Sequence, residues 1–326
     1  MSAIEETVTL ATTPGAVEHS LRRELSNGGL IEFEESPAGW LTADGEVRKR
    51  DYRAYYWTPQ QECVRCHGDG RVNGATRVKK CPDCKGTGQT RRTRMTSVSS
   101  FLEVILPKPG LPSWYEKHGI EGTIYALNAG AMALTVPPEH AVRIVRQGGW
   151  GAEAARDAHA ERGIDIHELL REYAETGMAP SSLDVLPEDM GYYRALCKFL
   201  VAEDPEPEQV EELVCDPTAG YAGRSDLVAR AGGFRKRYDA KTSEEAQIYP
   251  GAHVQVGLYE RGGIASGDEP CDLLEVVVFA ADGSFRTMPV GATPRLLDVA
   301  LDWWREIRPV NSACESANRV EKEARR

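Results

Sequence analysis

No apolar run in this chain of 326 residues approaches the length of a membrane span. The opening Met1-Ser2-Ala3-Ile4-Glu5-Glu6 is acidic and lacks the basic-then-apolar pattern of a secretory leader. Both absences point to a soluble, cytoplasmic protein with no membrane partner. No long internal repeat is visible, which argues against a repeat architecture. Positive charge is in short supply: 39 Lys and Arg stand against 50 Asp and Glu, for a net charge of −11. Taken as a total, that balance disfavours a polyanionic partner. What is present is ordinary: 41% hydrophobic and 27% charged residues, in a length that accommodates one large domain plus a smaller module.

The distribution of charge reverses the first impression. Between Arg48 and Arg94, thirteen basic residues face four acidic ones, a local net of +9 on a body that is correspondingly more acidic. Such a segment is a candidate polyanion-facing patch. It coincides with two copies of one pattern, Cys-x-x-Cys-x-Gly-x-Gly. Cys63 and Cys66 open the first copy and Cys81 and Cys84 the second, with fourteen residues between the pairs. Paired thiolates at that spacing bite one ion, and two such knuckles make a tetrahedral four-sulfur zinc site, closed and therefore structural. Two disulfides are the alternative, disfavoured in a reducing compartment. His67, beside Cys66, is a spare ligand that four cysteines leave unneeded. Cys197, Cys215, Cys271 and Cys314 are scattered and read as core or surface residues. Tyr52, Tyr55, Tyr56 and Trp57 flank the module; they either stack unpaired bases or pack a sheet, and packing is the more ordinary role.

Four regions are expected: a β-rich stretch over 1–60, the cysteine module over 61–92, an α/β core over 93–310 and a frayed polar tail over 311–326. In the first, strands at 30–34 and 39–42 flank a Ser36-Pro37-Ala38 break, and Ala43-Asp44-Gly45 is a turn. In the core, helices are expected at 152–176, ended by Gly177, and at 191–202. Strands follow at 210–215, 221–229 and 234–241, then a helix that opens at Pro250 and stops at Gly262-Gly263. Leu273 to Ala280 reads as a buried strand and Asp298 to Ile307 as a late helix.

The chemistry concentrates in Gly220-Tyr221-Ala222-Gly223-Arg224-Ser225-Asp226 and in Tyr238-Asp239-Ala240-Lys241. On a strand, Asp239 and Lys241 point one way and Ala240 the other. Two carboxylates and an ammonium at one spot are the parts for holding a divalent cation beside a phosphodiester. Singly, each residue has a plainer reading. Asp226 can cap a strand, Asp-x-Lys is a common solvated strand face, and His167 can be an ordinary helix histidine. Gln255 and Tyr259, four apart on one helix face, can simply pack.

In order and spacing, the motifs from about 96 to 262 resemble the PD-(D/E)xK nuclease superfamily, specifically the RecB-like exonucleases, which include CRISPR-associated and phage-encoded members. The resemblance runs through Thr96-Ser97-Val98-Ser99-Ser100-Phe101-Leu102, Leu106-Pro107-Lys108-Pro109-Gly110-Leu111 with Trp114, Gly163-Ile164-Asp165-Ile166-His167 and Glu211. It continues through Asp226, Asp239-Ala240-Lys241 and Gln255-Val256-Gly257-Leu258-Tyr259, with Ser225 where the name would put proline. It implies an α/β restriction-endonuclease-like core, a mixed sheet flanked by helices, behind the small β-rich region that carries the zinc module. It implies a Mg2+- or Mn2+-dependent DNA exonuclease, phage-encoded, acting on DNA ends in replication, recombination or repair. Proteins of those processes would be further partners, in the host cytoplasm. It also implies the ligand set His167, Glu211, Asp226, Asp239 and the carbonyl of Ala240. Lys241 would orient or deprotonate water, and Gln255 and Tyr259 would position substrate or brace the metal-binding strand. Glu212 is the alternative to Glu211, since alternation sends only one of them inward.

The two knuckles resemble the zinc-binding region of DnaJ-type co-chaperones. That family carries four knuckles and a separate J domain, whereas no His-Pro-Asp tripeptide occurs here. A chaperone-like partner binder is thus a weaker alternative, as is a catalytically silent nucleic-acid-binding protein on the nuclease fold. Some related nucleases hold an iron–sulfur cluster with a downstream cysteine triplet, which the C-terminal region lacks.

Overall fold

A computed structural model describes residues 5–10, 17–26, 29–36, 39–41, 47–49, 52–59, 65–67, 69–73, 78–85, 93–106, 111–183 and 185–324. The β-rich opening comprises β1 (Glu5–Leu10), β2 (Val17–Glu24), β3 (Leu30–Ser36), β4 (Gly39–Leu41), β5 (Val47–Lys49) and β6 (Tyr52–Thr58). β4 and β5 pair as a separate two-stranded sheet around the expected turn, which lies outside the described residues. A second small ribbon, β7 (Arg71–Asn73) with β8 (Val78–Lys80), joins the two knuckles. β9 (Thr93–Ser97) then pairs antiparallel with β6 and parallel with β11 (Tyr221–Ala231).

Because β9 bridges both, the opening and the core share one mixed ten-stranded sheet. Its remaining strands are β10 (Glu206–Asp216), β12 (Phe234–Ser243), β13 (Leu273–Ala280) and β14 (Phe285–Pro289). The main path runs β1-β2-β3-β6-β9-β11-β12-β13-β14, and β10 pairs β11 along its other edge. Tyr55 stacks 4.9 Å from Phe33 and, with Trp57, lines the core under the opening strands. These aromatics are therefore packing residues.

Helices cover both faces. On one side α4 (Ala152–Thr176) and α5 (Met190–Glu203) lay Ile166, Leu170, Leu196 and Phe199 on Leu227, Tyr238, Ala240 and Val277. Phe199 is the hub there, with ring centroids 5.4 Å from Tyr238 and 5.7 Å from Phe279. α4 ends where expected, on Gly177 at φ 68°, a left-handed cap that glycine adopts without a Cβ clash. On the other side α1 (Val98–Ile105), α6 (Pro250–Ser266) and α7 (Pro294–Ala324) pack Val98, Phe101, Leu258, Leu301 and Trp304 against Val214 and Tyr221. α1 is capped by Ser97, whose Oγ accepts from Ser100 N at 3.0 Å. α2 (Leu111–Asn128) and α3 (Pro138–Gln147) complete the helices. Among the described residues no helix is long and apolar enough to cross a membrane.

Two expectations fail. α6 does not stop at Gly262-Gly263 but runs on to a left-handed cap at Gly267, φ 102°. Gly263 is there for room: a Cβ on it would meet Arg237 Nη2 and Asp268 Oδ2 at 2.6 Å, whereas one on Gly262 would make only ordinary contact, 3.4 Å from the backbone of Cys215. Arg237 is fully buried and pairs with Glu260 at 2.9 Å, Ser225 Oγ at 2.7 Å and Asp268 at 3.4 Å. Gly263→Ala is therefore expected to destabilise by about 1–3 kcal/mol, the overpacking range, although the same change in an exposed helix stabilises. Denaturant unfolding checks the sign. The second failure is the tail: α7 continues through Pro309 to Ala324, so residues 311–324 are helical. Polar composition alone suggests fraying from 311, and the helix also tolerates Pro309, which removes one intrahelical bond.

Candidate active site

The site grows from one irregularity of the sheet. β10 occupies one edge of β11 from Tyr221 to Arg230. The other edge is shared: β9 pairs Tyr221 and Ala222, and β12 pairs Leu227 to Ala231. Gly223 to Asp226 thus have no ladder partner on that side, and the strands part there. Alternation also breaks. Ser225 faces α6 through Arg237, yet Leu227, two residues on, packs beneath α4 and α5. Across the β10 ladder, Glu211 falls opposite Asp226, between the pairs Val210↔Leu227 and Glu212↔Ser225. Its φ is 50°, a left-handed conformation that costs a non-glycine residue roughly 1–2 kcal/mol. Backbone strain of that kind collects at functional sites.

Into the gap come side chains from both faces. His167 reaches in from α4, with Nε2 3.1 Å from the Ala240 carbonyl and Nδ1 3.5 Å from Asp226 Oδ1 and 3.6 Å from Glu211 Oε1. Ligand atoms of His167, Glu211 and Asp226 all lie within 4.8 Å of one another. Ala240 N donates to Asp226 Oδ2 at 2.7 Å, so both backbone groups of Ala240 turn into the gap while its methyl packs in the core. Asp239 and Lys241 alternate with Tyr238 and Ala240 and therefore face α6, joined by an ion pair of 2.5 Å. On α6, Gln255 Nε2 donates to Tyr259 Oη at 2.8 Å. Gly223 admits the Tyr259 ring, whose Cε1 would lie 2.4 Å from any Cβ there.

The electrostatics are those of a crowded acidic pocket. Partial burial works against charging His167, but Asp226 and Glu211 outweigh it and raise its pKa to about 8. Burial opposes ionisation of Glu211 too, yet the hydrogen bond with His167 and the Arg224 charge hold it below the usual carboxylate range. Glu212 behaves oppositely. Burial pushes it up, and it points away to Arg23, 2.8 Å distant. Asp239, with no exposed surface, is pushed by burial up to about 6 in spite of Lys241. Lys241 is raised, its burial outweighed by Asp239 and Asp226. Burial, with Asp239 and Asp226 nearby, also lifts Tyr259 well above its ordinary value.

These residues fit a hard divalent cation. Asp239 Oδ2 is held by the Lys241 ammonium at 2.5 Å, while Oδ1 is buried and has no hydrogen-bond partner. A buried carboxylate oxygen without a partner is rare in folded proteins, and a cation supplies what Oδ1 lacks. The closest group is His167, Glu211 and Asp226; Asp239 stands outside it, held by Lys241.

Two contributors escaped the sequence reading. Arg224 lies inside the quoted motif, pairs with Glu211 and sits 5.3 Å over the Phe33 ring. Ser225, in the place of the motif's proline, serves Arg237 with its hydroxyl.

The cysteine module lies apart. Cys66, Cys81 and Cys84 converge within 4.8 Å, and Cys66 and Cys84 Sγ are 3.6 Å apart. Cys63 lies outside the described residues. Gly70 N donates to Cys66 Sγ at 3.2 Å, a knuckle contact that tightens the turn. His67 and Lys85, each following the second cysteine of its pair, share a left-handed backbone with φ of 47° and 53°. His67 is exposed and takes no part in the cluster.

No family model matches the chain. A chaperone protein DnaJ from Treponema denticola is 38% identical over 53 residues, 16% of this chain and 12% of its own length. A second, from Clostridium beijerinckii, is 44% identical over 45 residues, 14% of this chain and likewise 12% of its own length. The chain thus spans only a small fraction of these relatives, of a size that fits the cysteine segment. The solved structure of an alkaline exonuclease from Laribacter hongkongensis aligns with 65% of this chain and 99% of its own, at 11% identity and a TM-score of 0.28.

Proposed function

We propose that this protein is a Mg2+- or Mn2+-dependent DNA exonuclease on a restriction-endonuclease-like core, with a structural zinc module inserted near the N-terminus. The observation that carries the reading is the convergence of His167, Glu211, Asp226 and the Ala240 carbonyl at the parting of β11 and β12, beside the ion pair of Asp239 and Lys241. His167, Glu211, Asp226, Asp239 and the Ala240 carbonyl would hold the cation. When bound, it supplies positive charge against the negative charge that builds on the phosphodiester and acidifies the attacking water.

The chain's own residues do the rest. Asp226 fixes the Ala240 peptide through its N–H and so orients the carbonyl toward His167. Arg224 steadies the strained Glu211 carboxylate. Lys241, whose carboxylate neighbours favour its protonated form, holds an ammonium where a water or a phosphate oxygen would lie. Tyr259, kept neutral, donates a hydroxyl proton that Gln255 helps to aim. The basic stretch around the cysteines would meet the DNA backbone through phosphate contacts that carry no sequence preference.

The test is digestion of DNA labelled at defined 5′ and 3′ ends. Release of label with Mg2+ or Mn2+, and none in chelator, is expected; intact DNA under both metals overturns the enzyme reading. A separate expectation concerns the cysteines. Elemental analysis of purified protein should find zinc, one equivalent of it bound through Cys63, Cys66, Cys81 and Cys84, and Cys81→Ser should lose that one equivalent. Iron, or no metal, would remove the zinc assignment without touching the nuclease one.

A further inference from the structure

A second group of metal-ligating side chains lies along α4 from the first. His118 on α2, His159 on α4 and Glu244, just beyond β12, each place a ligand atom within 4.8 Å of the others. His118 Nδ1 lies 3.0 Å from Glu121 Oε2. A carboxylate there draws the proton to Nδ1 and leaves the Nε2 lone pair free. Nε2 is buried and has no hydrogen-bond partner. This is the arrangement found behind metal-bound histidines, where the far ring nitrogen donates to a carboxylate. The Trp114 ring packs 4.2 Å from the His118 ring and 5.9 Å from that of His159, which gives the group an apolar wall.

His159 Nε2 lies 3.6 Å from Glu244 Oε1. Its Nδ1 is 3.1 Å from Arg162 Nη1, and a guanidinium only donates, so the ring accepts there. Burial and Arg162 hold His159 below the ordinary histidine range, which keeps a lone pair available at neutral pH. A cation on Nε2 requires the other tautomer and so releases Arg162. That guanidinium keeps Asp189 and the Tyr192 ring, 4.8 Å from its carbon. Glu244 also pairs with Lys117 at 3.4 Å, an exposed contact that yields readily.

We propose that His118, His159 and Glu244 bind a divalent transition-metal ion of the zinc class, at a site distinct from the cysteine cluster and from His167, Glu211 and Asp226. Two imidazoles and one carboxylate suit zinc, with water completing the coordination. The ion would tie α2 and α4 to the segment leaving β12, three residues after Lys241. The inference does not depend on the nuclease reading.

Equilibrium dialysis of the metal-stripped full chain against zinc tests it, in the parent and in His118→Ala, Glu244→Gln, Glu121→Gln and Asp226→Asn. His118→Ala and Glu244→Gln should each lose the same one equivalent, and Glu121→Gln should weaken it roughly tenfold, as loss of a supporting carboxylate does. Asp226→Asn should retain it. In cobalt-loaded protein the sulfur-to-metal charge-transfer band of the cysteine cluster should be unchanged throughout. Glu244 is half exposed, so its variant folds and its result decides by itself. Parent-like zinc binding by Glu244→Gln, or loss of the same equivalent in Asp226→Asn, overturns the proposal.

Discussion

Asp226→Asn is expected to slow metal-dependent DNA hydrolysis by at least about a thousandfold, roughly 4 kcal/mol of lost charge stabilisation. Asparagine is the informative substitution. Its side-chain carbonyl can still accept from Ala240 N, the 2.7 Å bond that shapes the β12 backbone, so the fold is retained and only the charge is removed. Alanine would confound the two effects by leaving a buried N–H unpartnered, at a cost of about 1–3 kcal/mol. Initial rates on end-labelled DNA, with DNA binding measured in parallel, give the answer. Binding should survive if, as proposed, phosphate contacts come mainly from the basic stretch around the cysteines. Hydrolysis within tenfold of the parent would show that the cluster is not the reacting centre.

The second large effect is in pH. His167 can ligate a cation only when neutral, and its pKa is raised to about 8. Below that value a proton competes with the metal, so apparent Mn2+ affinity should fall roughly tenfold per pH unit, about a hundredfold between pH 8 and pH 6. Asp239, pushed up to about 6, steepens the fall at the lower end. Stability of the metal-free chain should move the other way. Both groups have folded pKa values above their ordinary ones, so the stability they contribute is present in acid and is lost as pH rises, through about 6 for Asp239 and about 8 for His167. Thermal unfolding with and without Mn2+ reads both effects. A metal-induced shift of equal size at pH 6 and pH 8.5 would contradict the coupling, and His167→Asn should flatten the upper part of the profile.

Much of the core was legible because it is buried on both faces. β13 reads as a nearly continuous apolar run, interrupted only by Glu275, and its observed bounds match the expected ones. α4 was bounded by Gly177 for a local reason, the left-handed cap. The site residues could be named singly, from alternation on β12 and from i, i+4 spacing on α6. What could not be read was the gap itself. It exists because β9 and β12, distant in sequence, share one edge of β11, a matter of register that no local pattern encodes. Gly263 misled for a related reason: whether a glycine ends a helix or makes room for a neighbour depends here on Arg237, which comes from a distant strand. The His118, His159 and Glu244 group draws on three separate segments. Only its α4 member left a trace, since His159, Gly163 and His167 follow one another at four-residue steps along one helix face.

The seam between the opening strands and the rest of the molecule is ionic and deep. Arg23 of β2 pairs with Glu212 at 2.8 Å and with Asp268, and donates to the Leu213 carbonyl at 2.7 Å, with almost none of its side chain exposed. A shortened version starting near residue 93 would strip that cation from two submerged acids and take away the ring beneath Arg224 as well. Anyone trimming the protein for crystallisation should expect such a fragment to misfold or to precipitate.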